Sequence, residues 1–190
     1  MTACEFTLFE TAIGVCGIVW SGHGIRGVQL PEGDVQNTRA RLKRRFPGTA
    51  ETAAPSEVRR VIAEIVALLR GERRDLSDVT VDLDGVADFN RRVYAVARKI
   101  APGATATYGE LAAALGDRGA ARAVGRALGE NPIPIIVPCH RVLAADGKTG
   151  GFSASGGVGT KMRMLSIERA RTSEQPMLFD RLDLASRPRH

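Results

Sequence analysis

The sequence has few cysteines and no long hydrophobic run. Its 190 residues include only Cys4, Cys16 and Cys139, and their spacing is not that of a metal-binding motif. An odd number of widely spaced thiols is typical of a reducing compartment rather than of a disulfide framework. No apolar run approaches the roughly 20 residues that span a membrane, and residues 1–10 contain no basic leader. We therefore expect a cytoplasmic protein without a secretory signal or a membrane span.

Positive charge is concentrated in one part of the chain. The formal net charge is +6, and residues 85–170 account for it with 12 Lys and Arg against 6 Asp and Glu. Residues 1–84 have 11 basic against 12 acidic residues, and residues 171–190 have 4 against 3. This distribution favours a polyanionic partner for residues 85–170, although a merely solvated basic surface is the common alternative.

The first 84 residues predict a small α/β domain. Short β-type runs at 6–9, 15–20 and 25–30 are separated by glycines and predict an antiparallel meander. Residues 34–46 have the pattern of a basic helix. We interpret that helix as a solvated surface in preference to a nucleic-acid contact.

A second helix and a further strand complete this predicted domain. Ser56 is placed to cap a helix whose apolar residues recur at i, i+3, i+4 and i+7 as far as Leu69. Residues 79–83 predict a strand. The Asp84-Gly85 pair is the expected turn and boundary.

From Asp88 onward the sequence predicts helices. Asp88 is placed to cap a helix over 89–100, and Thr107 with Glu110 forms a capping box at the start of the next helix. A third helix over 119–129 follows after a very short turn. Two short helices joined so closely form the helix-turn-helix pattern, in which the second helix contacts DNA.

The third helix has two different sides. Three apolar residues form a side suited to packing: Ala121, Val124 and Leu128. Arg122 and Arg126 project together from another side, with the small residues Ala123, Gly125 and Ala127 around them. Small side chains let a helix lie close to DNA, and the arginines are suited to bind phosphate or to enter the base stack. An ordinary alanine-rich packing helix is the alternative.

The segment 131–142 is stiff and apolar and carries a thiol beside an imidazole. Its three prolines each fix φ and remove a backbone donor, so the segment is neither an ordinary helix nor a central strand. It predicts a buried connection that holds Cys139 and His140 in a set position. A thiol beside a base or a positive charge is a common way to build a sulfur nucleophile.

The run Pro138-Cys139-His140-Arg141-Val142, preceded by Asn131-Pro132, resembles the active-site signature of a known family. This family is the O6-alkylguanine-DNA alkyltransferases, also called methylated-DNA–protein-cysteine methyltransferases. The resemblance covers roughly residues 89–168, with a weaker similarity in the N-terminal part. The ordered series of matches over that span makes the resemblance specific.

The resemblance implies an α/β N-terminal domain, with a small sheet plus helices, over 1–84. A mostly α, winged-helix-like helix-turn-helix DNA-binding domain would follow over 85–170, and a flexible tail over 171–190. The implied function is repair of double-stranded DNA: the protein flips O6-alkylguanine, chiefly O6-methylguanine, out of the duplex. It then keeps the alkyl group irreversibly on its own Cys139. A monomer without cofactor suffices, because sulfur both attacks and retains the group.

The family pattern assigns each part of this reaction to a residue. Cys139 would accept the alkyl group, His140 would take the thiol proton through a water, and Glu168 would orient and charge the imidazole. Tyr108 would donate a hydrogen bond to the flipped guanine and help to rotate its phosphate. Arg122 would fill the space left in the base stack.

Further residues are implied as contacts. The DNA-binding surface would consist of Thr107, Tyr108, Arg122, Ala123 and Arg126. The substrate pocket and its support would include Asn131, Pro138, Arg141, Val142, Phe152 and Ser153. By spacing alone, Glu168 is a solvated carboxylate and Tyr108 a packing aromatic with a wet hydroxyl, so their roles rest on the resemblance.

One loop departs from the family pattern. Family members commonly have a Tyr followed closely by Gly-Gly, whereas this chain has Phe152 within a loop about two residues longer, over 151–157. That loop forms one wall of the pocket in the family. The size of the alkyl group accepted is therefore left open.

Some family members carry structural zinc in the N-terminal part. Cys4, Cys16 and His23 lie near one another in this sequence, but no fourth ligand and no zinc-finger spacing accompany them. We expect them to be core or surface residues and expect no metal.

The C-terminal tail contains a short peptide of a type that binds other proteins. Residues 175–179 resemble the short Gln-x-x-Leu-Phe peptides with which bacterial repair proteins dock on the replication sliding clamp. Gln175 as a polar head and Leu178 and Phe179 as anchors suit a pocket-binding peptide. A tail that folds back onto its own domain is the alternative.

Two other functions compete with alkyl transfer. One is a non-catalytic lesion-binding protein of the same architecture that recruits other repair factors, but in such relatives the reactive cysteine is replaced. The other is a thiol hydrolase, for which the spacing indicates no third orienting residue. Because Cys139 is present, we favour the repair methyltransferase.

Overall fold

The computed structural model describes residues 4–145 and 157–170. A four-stranded sheet with two helices comes first, and a helical region with a two-stranded sheet follows. The predicted fold, an α/β domain followed by a mostly helical helix-turn-helix domain, is confirmed. None of the helices in these two stretches is long and apolar enough to cross a membrane.

The first sheet is built from a meander. Its strands are β1 (Glu5–Thr11), β2 (Gly14–Ser21), β3 (Gly24–Gln29) and β4 (Ala50–Glu51). The first three pair antiparallel, β4 lies parallel beside β1, and the order is β3-β2-β1-β4. The predicted meander is confirmed.

Helix α1 (Val35–Arg45) covers one face of this sheet, where the basic helix was predicted. Asp34 caps it, because the Asp34 carboxylate accepts a hydrogen bond of 2.7 Å from the Asn37 N–H. Leu42 packs from the helix onto Phe6 and Val19 in a small buried cluster. The helix is therefore fixed to the sheet by its apolar side, with most of its basic residues facing outward.

Helix α2 (Ser56–Leu68) packs into the main core through the predicted apolar stripe, which includes Val61 and Ile65. The prediction that Ser56 caps this helix is wrong. Pro55 occupies the cap position with an extended backbone, and its carbonyl accepts a hydrogen bond of 2.9 Å from the Arg59 N–H. Proline fixes φ and leaves Ser56 as the first helical residue.

The strand predicted over 79–83 is reduced to a single bridge between Val81 and Ile25. The carboxylate of Asp82, the next residue, is buried beside this bridge. That carboxylate accepts hydrogen bonds from Ser21 Oγ at 2.6 Å and from Arg26 Nη1 at 2.8 Å. A buried carboxylate needs such partners.

The second half contains four α-helices and a small sheet within the described residues. The helices are α3 (Asp88–Ala97), α4 (Tyr108–Ala114), α5 (Ala121–Gly129) and α6 (Gly157–Ile167). Two 3-10 turns, Arg118–Ala120 and Cys139–Arg141, precede α5 and follow the proline-rich connection. The strands β5 (Ala106–Thr107) and β6 (Val142–Leu143) pair in parallel.

Several predicted helix ends differ from those observed. Ala87 occupies the cap position of α3, while Asp88 lies inside the helix and pairs with Arg91 at 2.7 Å. The helix ends at Ala97 rather than at residue 100, because i→i+3 bonds tighten the last turn. The helix predicted over 119–129 begins at Ala121, after the 3-10 turn Arg118–Ala120.

The capping box at α4 is confirmed in both directions. The Glu110 N–H donates to Thr107 Oγ1 at 3.1 Å, and the Thr107 N–H donates to Glu110 Oε2 at 2.6 Å. This pair fixes the start of the helix-turn-helix unit. It also means that the Thr107 side chain is already engaged within the protein.

Buried residues from both halves form one continuous core, which includes Ile65, Leu68, Val93 and Leu128. Backbone and side-chain bonds join the halves as well. The Val28 N–H of β3 donates to the Pro132 carbonyl at 2.9 Å, and Arg45 reaches the Val28 carbonyl at 3.1 Å. The sheet thus supports the connection that carries Cys139. The predicted domain boundary at residue 84 stays a prediction.

Gly17 of the sheet lies directly against α1 and provides a test of this packing. A Cβ at Gly17 would lie 2.3 Å from Leu42 Cδ1 and 3.1 Å from Leu8 Cδ2. We expect Gly17→Ala to lower the free energy of unfolding by about 1–3 kcal/mol, because Leu42 is fully buried and overpacked.

The measurement is urea unfolding of wild type and variant. Gly159→Ala is the matched control, since nothing lies within 4 Å of a Cβ at that helical position. The control should be neutral or stabilising by up to about 1 kcal/mol. Equal midpoints for Gly17→Ala and wild type would contradict the packing described here.

Candidate active site and nucleic-acid interface

The connection 131–142 is closed by the Asn131 side chain. Its Nδ2 donates to the Val137 carbonyl at 2.9 Å, and its Oδ1 accepts from the Ile133 N–H at 2.9 Å. Ile135 between these bonds has φ of 76°, which is unusual for a β-branched residue and persists only in a strongly held segment. The rigid, buried connection predicted from the prolines is therefore what the structure contains.

Cys139 follows directly in a 3-10 turn and is 8% exposed. Burial raises the pKa of the Cys139 thiol, while a hydrogen bond from Asn131 and the positive charge of Lys161 act in the opposite direction. Because burial prevails, the resting side chain is a protonated thiol. A reaction at this sulfur therefore needs a base close by.

His140, Arg141 and Glu168 form a buried triad behind the thiol. His140 Nε2 lies 2.9 Å from Glu168 Oε1, and Arg141 binds both carboxylate oxygens at 2.8 Å through Nη2 and Nε. The Gly103 N–H donates to Glu168 Oε2 at 3.3 Å. The side chains of His140, Arg141 and Glu168 are 0%, 6% and 1% exposed, so water competes little for these bonds.

These contacts set the charges and the tautomer of the triad. Burial alone would raise the pKa of Glu168, but hydrogen bonds from His140 and Arg141 outweigh it and hold that pKa at about 2. Burial lowers the pKa of His140 despite the neighbouring Glu168, so the resting imidazole is neutral at pH 7. An ionised carboxylate only accepts hydrogen bonds, and Nε2 must therefore carry the proton.

The other ring nitrogen, His140 Nδ1, then carries the lone pair. It is buried and has no hydrogen-bond partner among the residues that the structure describes. The triad thus presents a neutral base next to Cys139 in the chain. Stabilisation of a charged imidazole by Glu168 belongs to the state after proton transfer.

A cavity of about 850 Å³ brings Cys139 together with the helix-turn-helix unit. Tyr108 at the start of α4 and Arg122 and Arg126 on α5 line it with the thiol. Helix α5 packs against Tyr108 at Gly125, where a Cβ would lie 3.8 Å from the ring, an ordinary van der Waals distance. Burial, and secondarily the charge of Cys139, raises the pKa of Tyr108. Its phenol therefore stays protonated and able to donate.

The two sides of α5 are largely as predicted. Val124 and Leu128 are buried, Arg122 and Arg126 are exposed, and Ala123 is half-buried. The prediction is wrong for Ala127, which is 1% exposed. Its carbonyl accepts a hydrogen bond of 2.9 Å from Tyr94 Oη on α3, so this part of the helix faces inward.

Other predicted site residues have different placements. Arg141 is buried, and besides Glu168 its Nη1 donates to the Ile100 carbonyl at 2.6 Å, so it supports the triad. Pro138 leads into the 3-10 turn, and the Val142 carbonyl accepts a hydrogen bond from Lys161. Five predicted residues lie outside the described residues: Phe152, Ser153, Gln175, Leu178 and Phe179.

Two features of the site were not predicted from the sequence. The binding of Glu168 by Arg141 joins residues 27 apart and has no local signal. Lys161 is fully buried and lies on a stripe with Met164, Leu165 and Glu168, at i, i+3, i+4 and i+7. A lysine in the apolar stripe of a helix was the signal that could have identified it.

The three residues considered and rejected as zinc ligands have separate placements. Cys16 lies in the main core, Cys4 packs against the small cluster on the other face of the sheet, and His23 is in the turn between β2 and β3. Burial raises the pKa of Cys16 to about 12. Within residues 4–145 and 157–170, no group of three or more His, Cys, Asp or Glu is placed to hold a metal.

The triad predicts a specific dependence of stability on pH. Since the folded-state pKa of Glu168 is about 2, below its ordinary value of 4.5, the ionised group stabilises the fold above pH 4.5. That stabilisation, about 3 kcal/mol by linkage, is lost as pH falls towards 2. Glu168→Gln should therefore be destabilised at neutral pH by about this amount.

The measurement is urea unfolding of wild type and Glu168→Gln between neutral and acid pH. The difference between them should shrink as the pH falls below 4.5. Glu10→Gln, at an exposed position in β1, is the control and should follow wild type. A difference that is independent of pH would contradict the ionised, hydrogen-bonded Glu168.

Similarity to known proteins agrees with this geometry. The 6-O-methylguanine DNA methyltransferase DNA binding domain matches residues 88–170. A methylated-DNA–protein-cysteine methyltransferase of Mycolicibacterium paratuberculosis is 41% identical over 132 residues, covering 70% of this chain and 78% of the relative.

Solved structures extend the similarity to most of the fold. The crystal structure of Mycobacterium tuberculosis OGT in complex with DNA has 32% sequence identity and a TM-score of 0.70, covering 87% of this chain and 92% of that one. The O6-methylguanine-DNA methyltransferase of the archaeon Pyrococcus kodakaraensis has 27% identity and a TM-score of 0.68, covering 86% and 99%. The chain therefore belongs to the 6-O-methylguanine DNA methyltransferase family, which includes the methylated-DNA–protein-cysteine methyltransferases.

Proposed function

We propose that this protein flips O6-alkylguanine, chiefly O6-methylguanine, out of duplex DNA and transfers the alkyl group irreversibly to Cys139, once per molecule. The family supports the general part of this proposal: the chain is a DNA-repair methyltransferase. The observation that carries the specific part is the cavity in which Cys139, Tyr108, Arg122 and Arg126 meet. In it, a nucleophile faces the side of α5 that is suited to DNA.

The chemistry begins with removal of the thiol proton. His140 Nδ1 has the lone pair to accept this proton, through a water between the two residues. The resulting imidazolium is stabilised by the ionised Glu168, which Arg141 holds in place. Asn131 contributes a hydrogen bond that lowers the pKa of Cys139 against the effect of burial. Proton transfer to His140 then produces the reactive thiolate within the buried site.

The thiolate attacks the alkyl carbon in line with the bond to O6. A carbon–sulfur bond forms, the carbon–oxygen bond breaks, and the electron pair stays on guanine. Guanine anion is a poor leaving group, so a proton donor to the base assists the step. Tyr108 is the donor that the cavity offers, because its phenol stays protonated. The product on Cys139 is a thioether, which water does not hydrolyse, and each molecule reacts once.

Extraction of the base requires contacts with the duplex. Arg122 and Arg126 are one turn apart on the exposed side of α5, next to the cavity. A side chain that enters the stack compensates for the unstacking of the flipped base. We assign this role to Arg122 and phosphate binding to Arg126. The small residues Ala123 and Gly125 let α5 approach the DNA backbone closely.

The competing function is that of a lesion-binding protein without transfer. The intact set of Cys139, His140 and Glu168 favours transfer, because a binding protein has no need of a base linked to a buried carboxylate. Docking on the sliding clamp through Gln175, Leu178 and Phe179, a monomeric state and a cytoplasmic location stay predictions.

The first test uses a duplex oligonucleotide that contains one O6-methylguanine. The intact mass of wild type should increase by one methyl group per molecule, and peptide mapping should place that group on Cys139. Cys139→Ala should bind the duplex but gain no methyl group, since it lacks the sulfur. Cys4→Ser is the matched control and should react as wild type. A methyl gain by Cys139→Ala would overturn the assignment.

A second test separates base flipping from general DNA binding. Arg122→Ala should reduce the fluorescence increase of 2-aminopurine at the flipped position by about tenfold or more, because unstacking costs a few kcal/mol. Its affinity for an undamaged duplex should change much less. The control Arg60→Ala removes an exposed arginine of α2 and should change neither quantity. Unaltered flipping in Arg122→Ala would exclude this role.

A further inference from the structure

Lys161 is a fully buried cation close to the site and has no part in the mechanism above. It lies in the first half of α6, and its side chain is 0% exposed. Its Nζ donates to the Val142 carbonyl at 2.6 Å and lies 5.9 Å from the centroid of the Tyr108 ring. A lysine side chain is almost never fully buried unless its charge is paired with other groups.

These contacts place the ammonium between the backbone that follows the Cys139 turn and the Tyr108 ring. Val142 begins β6, directly after the 3-10 turn that carries Cys139, and α6 packs against that turn. Tyr108 lines the same cavity as Cys139. Lys161 therefore contacts both the backbone just after the Cys139 turn and the ring of a residue that lines the cavity with Cys139. A hydrogen bond and a cation–π contact hold it from two directions.

We propose that Lys161 is a positioning residue whose ammonium stabilises the Cys139 thiolate and holds the Val142 carbonyl and the Tyr108 ring around it. This inference rests on the proposed role of Cys139 as the nucleophile. The thiol proton goes to His140 as before, and Lys161 keeps its own protons throughout. Its contribution is a fixed positive charge in a region with little water.

The electrostatics of the pair agree with this role. Burial lowers the pKa of Lys161, and the charge of Cys139 acts against that lowering. In turn, the Lys161 charge opposes the effect of burial on Cys139. The charge of each group therefore favours the ionised form of the other. This is expected of a thiolate and an ammonium that become an ion pair when the thiol ionises.

Other ionisable groups face Cys139, but none of them is a buried positive charge placed like that of Lys161. Three are neutral at rest: Tyr94, Tyr108 and His140. Arg122 and Arg126 line the large cavity, and Glu32, Arg41, Arg45 and Glu130 line a smaller one of about 230 Å³ on another side. Arg122, Arg126, Arg41 and Glu130 are exposed to water, which screens their charges. Arg45 is occupied by Gln29 and by the Val28 carbonyl.

The test measures the thiol directly, without DNA. Alkylation of Cys139 by iodoacetamide is followed against pH by mass spectrometry with peptide mapping. Lys161→Gln removes the charge but keeps a hydrogen-bond donor for the Val142 carbonyl. We expect its profile to shift to higher pH by about one unit, a tenfold lower rate in the thiolate-limited range. Lys161→Arg keeps the charge and should stay close to wild type.

Lys99→Gln is the matched control, because it makes the same substitution at an exposed position. Lys161→Met is a second neutral variant that decides the outcome if Lys161→Gln loses the circular dichroism spectrum of the folded protein. A purely structural role would change stability without moving the pH profile. A folded neutral variant with the wild-type profile would therefore overturn the inference.

Methyl transfer from the O6-methylguanine duplex is measured in parallel. A lower transfer rate in Lys161→Gln that recovers as the pH is raised supports thiolate stabilisation. If wild type transfers methyl to Cys139 but a neutral Lys161 variant keeps the wild-type pH profile, only the proposed role of Lys161 is refuted. If wild type transfers no methyl at all, the proposed function itself is refuted, whatever the iodoacetamide result.

Discussion

The buried Glu168 carboxylate is the interaction on which the rest of the site depends. It binds His140 and Arg141 and accepts from the Gly103 backbone, so it ties the end of α6 to the Cys139 turn and to the loop after α3. Its charge is compensated by Arg141, which permits a carboxylate at 1% exposure. Because it is ionised, it fixes the proton on His140 Nε2 and leaves Nδ1 as the base.

The site is arranged so that charge appears at the sulfur only when it is needed. At rest, the thiol and the imidazole are both neutral, whereas Glu168 and Arg141 compensate each other. Transfer of one proton creates a thiolate and an imidazolium, and the imidazolium already has Glu168 beside it. The electrostatic environment is thus built for the reacting state, and little rearrangement is required.

Local patterns in the sequence predicted much of this arrangement, but contacts between distant residues could not be predicted in the same way. The meander, the Thr107–Glu110 capping box and the closed connection after Asn131 all depend on neighbours within a few residues. Glu168 could be placed by resemblance only, because spacing says nothing about a partner 28 residues away. The caps of α2 and α3 were missed for a related reason: Ser56 and Asp88 are good caps, but the chain entering each helix put Pro55 and Ala87 there.

The bond from the Val28 N–H to the Pro132 carbonyl has a consequence for how this chain can be divided. It makes a sheet in the first half the scaffold for a reactive turn in the second, within one shared core. A fragment that begins at residue 85 would expose that core and lose the backbone support of its own nucleophile. The two halves are therefore better described as complementary fragments than as transferable modules. Substitutions in the sheet, although remote from any base or phosphate, should therefore change the reactivity of Cys139.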